Sequence, residues 1–510
     1  MNMSKKRFKT MAGILAVVLL AGSVMGCTGK KEETASKEGT TTTTTPEKKQ
    51  KISMMYPLYN NPPKKTEVWK AMEEKLNIEY EPMAIPSAQY NDKLLASIAA
   101  NDLADITHYT GFPDPKFTTY AKQGAFLQLD ELIKNTKYIK DIPQEMWDYI
   151  KVDGKIYGIP RPAIPGRAVI IRKDWLDALG LSIPKTLDEF YDVAVKFAKE
   201  DPDQNGKDDT VGIILNQSMG WHLDPIFLAF DAGSGWREME DGTLMNSMIT
   251  PQRKEALAWL NKLYKAGGID QNFTIMKDNQ MWEKLESGKA GLFLGGQTSD
   301  YYRFVTNLKK VDPKAELIMI RPPVGPNGAT GYPGGTGFFG QFVLPSQIDE
   351  AKAKKAIELL DWEMSQEAHN LKKMGIEGVH HTKNADGTIT MIGDKYSEEG
   401  INTLIWQISN NPFGTTIALD APAEIQEAQR QNLTGLKELD VVCPAITYVP
   451  SDTVVEKLAE LDRISKEISV KLIIGVAPIE AFDKFVEEWK AKDGDELTKE
   501  VNEWYKNQNK

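Results

Sequence analysis

The chain has 510 residues, with 62 Lys and Arg against 72 Asp and Glu and a formal net charge of −10. That acidic balance, with no basic cluster, argues against nucleic acid as a partner and offers no patch for phosphates. Cys27 and Cys443 are the two cysteines, so a disulfide framework is excluded.

Lys5, Lys6, Arg7 and Lys9 precede an apolar run, Met11 to Leu20, which has signal-peptide length and is too short to span a membrane comfortably. The run ends at Val24-Met25-Gly26-Cys27, which resembles a bacterial lipobox. That resemblance implies cleavage before Cys27 and acylation of its sulfur, palmitate included. Residues 1–26 are therefore read as a lipoprotein signal peptide. Their removal takes four positive and no negative charges, leaving the rest near −14. Residues 27–50 are polar and Thr-rich and cannot bury a core, so they read as a flexible tether. No later apolar run approaches ~18 residues. The expected location is the extracytoplasmic face of the bacterial cell membrane, with the lipid anchor as the sole membrane attachment.

The remaining chain, roughly 460 residues, is long enough for two domains. Short apolar runs alternate with amphipathic helices, the pattern of an α/β protein. Lys51 to Tyr56 reads as a strand, Thr66 to Leu76 as a helix with Val68, Met72 and Leu76 on one stripe, and Ile78 to Tyr80 as a strand. Asn91 to Ala100 reads as a helix burying Leu94, Leu95 and Ile98. Thr186 and Glu189 have capping-box spacing before Phe190, Val193, Ala194 and Phe197. Thr250-Pro251 starts a helix that runs to Gly267-Gly268. Trp175, Trp362 and Trp489 fall on amphipathic helices and are assigned to the core. The last third is mostly helical, over about 349–374, 422–438, 452–470 and 479–508. Tyr157–Pro165 and Leu317–Pro326 couple strands to Pro/Gly punctuation and suit crossings between lobes. Cys443, in VVCPAITYV, suits a small buried hydrophobe.

Enzymatic motifs are weak. There is no Gly-rich phosphate loop and no Gly-x-Ser-x-Gly elbow. Ser182 and Lys185 have Ser-x-x-Lys spacing, but Pro184 breaks the turn that would join them. His380 and His381 are adjacent, so on a strand they face opposite ways. Glu73-Glu74 reads as a solvated acidic helix face.

Lys93 to Asp105 (KLLASIAANDLAD), Ile171 to Phe190 (IRKDWLDALGLSIPKTLDEF), Leu359 to Glu367 (LLDWEMSQE) and Gly375 to His380 (GIEGVH) resemble stretches of the family 1 extracellular solute-binding lipoproteins of carbohydrate ABC importers. The RKDWL stretch is the most specific, and the likeness extends over 51–510. It implies a two-lobed periplasmic-binding-protein fold of type II, with two or more hinge crossings and a helix-rich C-terminal third. The expected division is 51–164 plus about 322–380 for the N-terminal lobe and 165–321 plus about 381–510 for the C-terminal lobe. The implied role is to deliver an oligosaccharide to ABC permease subunits, as a monomer and without catalysis. A secreted polysaccharide-active enzyme and a peptide-binding receptor of the same fold are the alternatives.

Sugar rings pack their C–H faces on aromatic rings and need fixed polar partners for their hydroxyls. Aromatic residues in turn-like contexts are therefore candidates, namely Tyr56, Tyr59, Tyr109, Trp221, Trp236, Tyr332, Phe338 and Trp406. Asp105 and Arg161, with Arg167 and Arg321, lie near the crossings and suit hydroxyls or a uronate carboxylate. Trp236 and Trp406 are the expected stacking platforms. A separate candidate is DPDQNGKDDT. Asp201, Asp203, Asn205, the Lys207 carbonyl and Asp209 occupy positions one, three, five, seven and nine of an EF-hand-like loop, with Gly206 at the sharp turn. Position twelve is Gly212, so the pattern is not an EF-hand sensor. The family resemblance implies a structural calcium ion here.

Overall fold

Two open sheets organise the computed structural model, which describes residues 49–58, 61–110, 114–162, 166–233, 235–333, 337–385, 387–405, 417–437, 441–442 and 451–508. The first sheet has the order β2-β1-β3-β12-β4, from β1 (Gln50–Leu58), β2 (Ile78–Pro86), β3 (Ile106–Tyr109), β12 (Phe338–Val343) and β4 (Ile159–Pro162). β1 runs parallel to β2 and β3, whereas β12 is antiparallel to both β3 and β4. The position of β1 between two parallel neighbours, covered on both faces, explains why it reads as a nearly continuous apolar run: Ile52, Met54, Met55 and Tyr56 are all buried.

The second sheet has the order β10-β5-β9-β6, from β5 (Arg167–Arg172), β6 (Val211–Ile213), β9 (Ala290–Gln297) and β10 (Leu317–Ile320). β7 (Trp236–Glu238) with β8 (Leu244–Asn246), β11 (Tyr332–Pro333) with β15 (Val441–Val442), and β13 (His381–Lys383) with β14 (Ile389–Met391) form two-stranded pairs.

Helices dock where their apolar stripes require. Thr186 accepts from the Glu189 N–H, and the Glu189 carboxylate accepts from the Thr186 N–H, closing the capping box. Phe190, Val193, Ala194 and Phe197 are then buried against the second sheet. Thr250 caps Pro251–Lys265 by accepting from the Arg253 N–H. Trp175, Trp362 and Trp489 are buried, as their helical spacing predicts. Three local expectations change. The helix placed at Asn91 begins at Ser87, and its Leu95 is exposed. The 349–374 segment is two helices, Glu350–Glu363 and Gln366–Met374, because the Ser365 hydroxyl caps the second. Glu73 is buried rather than solvated, accepting from the Trp69 indole and the Tyr80 N–H, each at 2.9 Å.

Among the described residues the chain changes from one sheet to the other three times. β4 ends at Pro162 and β5 starts at Arg167; β10 ends at Ile320 and β12 starts at Phe338. The third passage falls later in the chain than expected. Ile401, Leu404 and Ile405 pack in the core of the first sheet, whereas Ala418, Ala421 and Ile425 pack against the second. The expected switch of lobe at about 381 is therefore corrected, because apolar side chains up to Ile405 still belong to the first core. Among the described residues no helix is long and apolar enough to cross a membrane.

Candidate functional site

Strand directions bring both carboxyl edges to the crossings. In the first sheet, Leu58 and Tyr109 end two parallel strands, and Pro162, which ends β4, pairs with Phe338, which begins β12. In the second, Arg167 at the start of β5 faces Gln297 at the end of β9, and β6 runs parallel to β9 into Ile214–Trp221. Open α/β sheets bind ligands outside these carboxyl edges, where the strand order switches.

At the second-sheet edge the Arg167 guanidinium lies over the Trp221 indole, 4.6 Å from the ring centre. Trp221 is partly exposed, and the buried Arg167 Nε has no hydrogen-bond partner among the described residues. Asp224 supplies charge balance. Burial pushes its carboxyl up to about 6, although Arg167 and Arg253 draw it down. The backbone at Arg167 is fixed by a buried polar knot. Thr298 donates its N–H and hydroxyl to the Gly166 carbonyl at 2.6 and 2.9 Å. Asn432 donates to the Arg167 carbonyl at 2.9 Å and to the Thr298 hydroxyl at 2.8 Å. Gln429 donates to the Thr298 carbonyl at 2.8 Å and accepts from the Ala418 N–H at 2.9 Å. The chain beyond the first and third crossings thus shares one anchor.

At the first-sheet edge, burial and the neighbouring Arg161 charge bring the His108 imidazole down to about 3, so it is neutral. It contacts the Phe339 carbonyl at 3.2 Å. Lys372 lies near Arg161; burial, reinforced by that like charge, brings its ammonium down to about 7. Asp420, past the third crossing, opposes the downward effect of burial on Lys373.

The sequence candidates separate by burial. Tyr56, Tyr109, Trp236, Tyr332 and Phe338 are all buried core side chains. Tyr109 donates to Asp114 at 2.6 Å, and Trp236 packs with the core of the second sheet. The choice of Trp236 as a platform is corrected: as part of β7, its ring turns inward. Asp105 accepts from the Ser53 N–H and hydroxyl, both at 2.9 Å, and from Lys352 at 2.9 Å. Its carboxylate is thereby spent on fastening β1 to the Glu350–Glu363 helix. Arg161 and Trp221 stand at the carboxyl edges. Tyr59 and Trp406 lie outside the described residues, as does Cys27. Of the aromatic pair Phe338-Phe339, it is Phe339 that is 48% exposed, and strand alternation is the signal that separates the two. One group was missed. Lys372 gave no sequence signal, since only the fold brings it beside Arg161.

The acidic loop closes on itself. Asp201 accepts from the Asn205 and Gly206 N–H groups at 3.1 and 3.0 Å, and Gly206 takes a φ of +76°. The Asn205 amide donates to Asp203 at 2.7 Å and to Asp209 at 3.2 Å, and Lys289 donates to Asp209 at 2.5 Å. Repulsion among the loop carboxylates is therefore relieved partly by Asn205 and Lys289. Asp203 keeps one buried oxygen without a hydrogen-bond partner. Burial, then the neighbouring Asp201 carboxylate, raises its pKa. Among the described residues no three His, Cys, Asp or Glu side chains are gathered as a metal set. The donors are nonetheless all oxygens suited to a hard cation, and the orphaned Asp203 oxygen fits one.

Two open sheets joined by three crossings, with their carboxyl edges at those crossings, define a two-lobed binding protein. Matching over residues 57–369, the chain belongs to the bacterial extracellular solute-binding protein family. It is 28% identical over 504 residues to the polygalacturonan/rhamnogalacturonan-binding protein YtcQ of Bacillus subtilis (strain 168), covering 97% of this chain and 98% of that one. Lipoprotein LipO of the same organism is 29% identical over 474 residues, covering 89% and 92%. Among solved structures, the S. pneumoniae ABC-transporter substrate binding protein FusA in complex with kestose has a TM-score of 0.69 at 17% identity, covering 90% of this chain and 99% of that one. An EF-hand mutant of FusA gives 0.68 at 16%, with the same coverage. Alginate-binding protein AlgQ2 without calcium ion gives 0.68 at 18%, covering 91% and 99%. At these identities the structural likeness establishes the fold.

Proposed function

We propose that this chain is a lipid-anchored receptor on the extracytoplasmic face of the cell membrane. It captures an oligosaccharide between its lobes and hands it intact, as a monomer, to ABC permease subunits. The observation that carries the reading is Arg167 laid over the partly exposed Trp221 at a carboxyl edge. An indole offers a flat apolar face to a sugar ring, and a guanidinium offers donors to hydroxyls or a carboxylate. The likeness to YtcQ along nearly the whole chain supports a saccharide ligand, and the likeness to LipO supports lipidation at Cys27. The relatives bearing names of known action are binding proteins, which favours capture over catalysis.

The lobes are 51–162 with about 337–405, and 167–333 with about 417–508, hinged at the three crossings. Asp201, Asp203, Asn205, the Lys207 carbonyl and Asp209 hold a structural calcium ion that pins helix Leu187–Lys199 to β6. The FusA EF-hand mutant and the calcium-free AlgQ2 support a cation in related folds. Incubating the purified chain with a glycan panel and analysing the products by mass spectrometry tests the receptor reading. Bound glycan should be recovered unchanged; accumulation of shortened products would establish an enzyme instead.

A further inference from the structure

At the carboxyl end of β10, Arg321 and helix Ala423–Lys437 line a groove of about 390 Å³, together with Glu427, Arg430, Gln431, Thr434 and Gly435. The volume falls within the range of small-ligand sites, about 300–1,000 Å³. Its wall is unusual in one respect. The Arg321 guanidinium lies across the helix and donates to the Gly435 carbonyl. A Cβ at position 435 would sit 2.6 Å from the guanidinium carbon and from both terminal nitrogens. Glycine is a poor helix former, and here its missing side chain is what lets the guanidinium lie flat. Glu427 is taken up locally, by Gln431 at 3.1 Å and Arg430 at 3.6 Å. Arg321 remains exposed at the residue that follows β10. The opposite face of the same helix carries Gln429 and Asn432, which hold the backbone under Arg167. The groove is thus rigidly tied to the candidate cleft.

We propose that this groove is a subsite for a carboxylate-bearing sugar unit of the captured oligosaccharide, with Arg321 as its anion-binding residue and Gly435 as the space that positions it. The proposal rests on the oligosaccharide-receptor reading above. A planar guanidinium matches a uronate carboxylate in a forked geometry that a neutral sugar cannot use. The polar floor of Gln431 and Thr434 suits ring hydroxyls.

The test is calorimetric titration of the full chain and of Arg321→Gln and Gly435→Ala with a glycan panel containing tetragalacturonate, its methyl ester and kestose. Both variants should bind tetragalacturonate about tenfold more weakly, as expected for one charge-assisted hydrogen bond. Their affinities for methyl ester or kestose should stay within about twofold of wild type. Gly435→Ala should melt no lower than wild type, which separates loss of the subsite from loss of fold. Unchanged tetragalacturonate affinity in both variants, or an equal loss for the ester, overturns the subsite. So does a wild type that binds only neutral glycans, an outcome that leaves the receptor reading intact. Binding of no glycan at all overturns that reading, and the subsite with it.

Discussion

Arg167 lies over the Trp221 indole at 4.6 Å, and Asn432 grips the same residue's carbonyl at 2.9 Å. The side chain that faces the crossings is thereby set by a helix from the far end of the sequence. Such a prearranged pair loses little freedom when a sugar ring settles on it. Trp221→Ala should therefore weaken saccharide binding by about 1–2 kcal/mol, roughly five- to thirtyfold in Kd. The unliganded melting temperature should be nearly unchanged. Titration alongside a thermal melt checks both halves, and a fall in Tm with unaltered Kd would assign Trp221 to packing.

Trp236 should behave in the opposite way. It is 5% exposed within the core of the second sheet, so Trp236→Ala should cost about 3–5 kcal/mol of unfolding free energy. Urea denaturation without ligand measures this. A loss below about 1 kcal/mol would show that the ring is not part of the core.

Asp224 links this region to pH. Burial pushes its carboxyl from 3.8 up to about 6, although Arg167 and Arg253 draw it down. The folded chain therefore holds a proton that the unfolded chain releases between about pH 4 and 6. This group's contribution to stability is full below that window and is lost as pH climbs through it. Asp224→Asn has no such proton to lose, so its Tm minus that of wild type should become more positive from about pH 4 to 6.5. A difference that is flat or falls across that range would contradict the assignment.

Calcium should raise the melting temperature of wild type, because an ion bound only by the folded chain stabilises it by mass action. Asp203→Ala removes the oxygen left without a partner and should abolish that increment while leaving saccharide affinity in place. Identical melts in calcium and in chelator would show that Asn205 and Lys289 already neutralise the loop.

Much of the fold was legible because it rests on local chemistry. Thr186 with Glu189, Thr250 with Pro251, and the stripe through Phe190 and Phe197 each specify a helix within one or two turns. The cleft was less legible because its members meet only through topology. Phe338 and Phe339 have the same composition and context, and only their pairing in β12 decides which one turns outward. Trp236 stood among turn residues yet faces the core from a three-residue strand. Glu73 read as half of a solvated acidic pair until the Tyr80 N–H, from the next strand, made it a buried acceptor. Arg321 pointed to the crossing, but the role of Gly435 depends on a contact spanning more than a hundred residues.

The central claim is capture of a saccharide between two hinged lobes, and small-angle scattering with and without a saturating glycan tests it most directly. Three crossings, of which the first and third share a polar anchor, should let ligand draw the population toward a closed form. The account expects the radius of gyration to fall on saturation, in step with the calorimetric binding curve. An unchanged radius with the glycan demonstrably bound would contradict it.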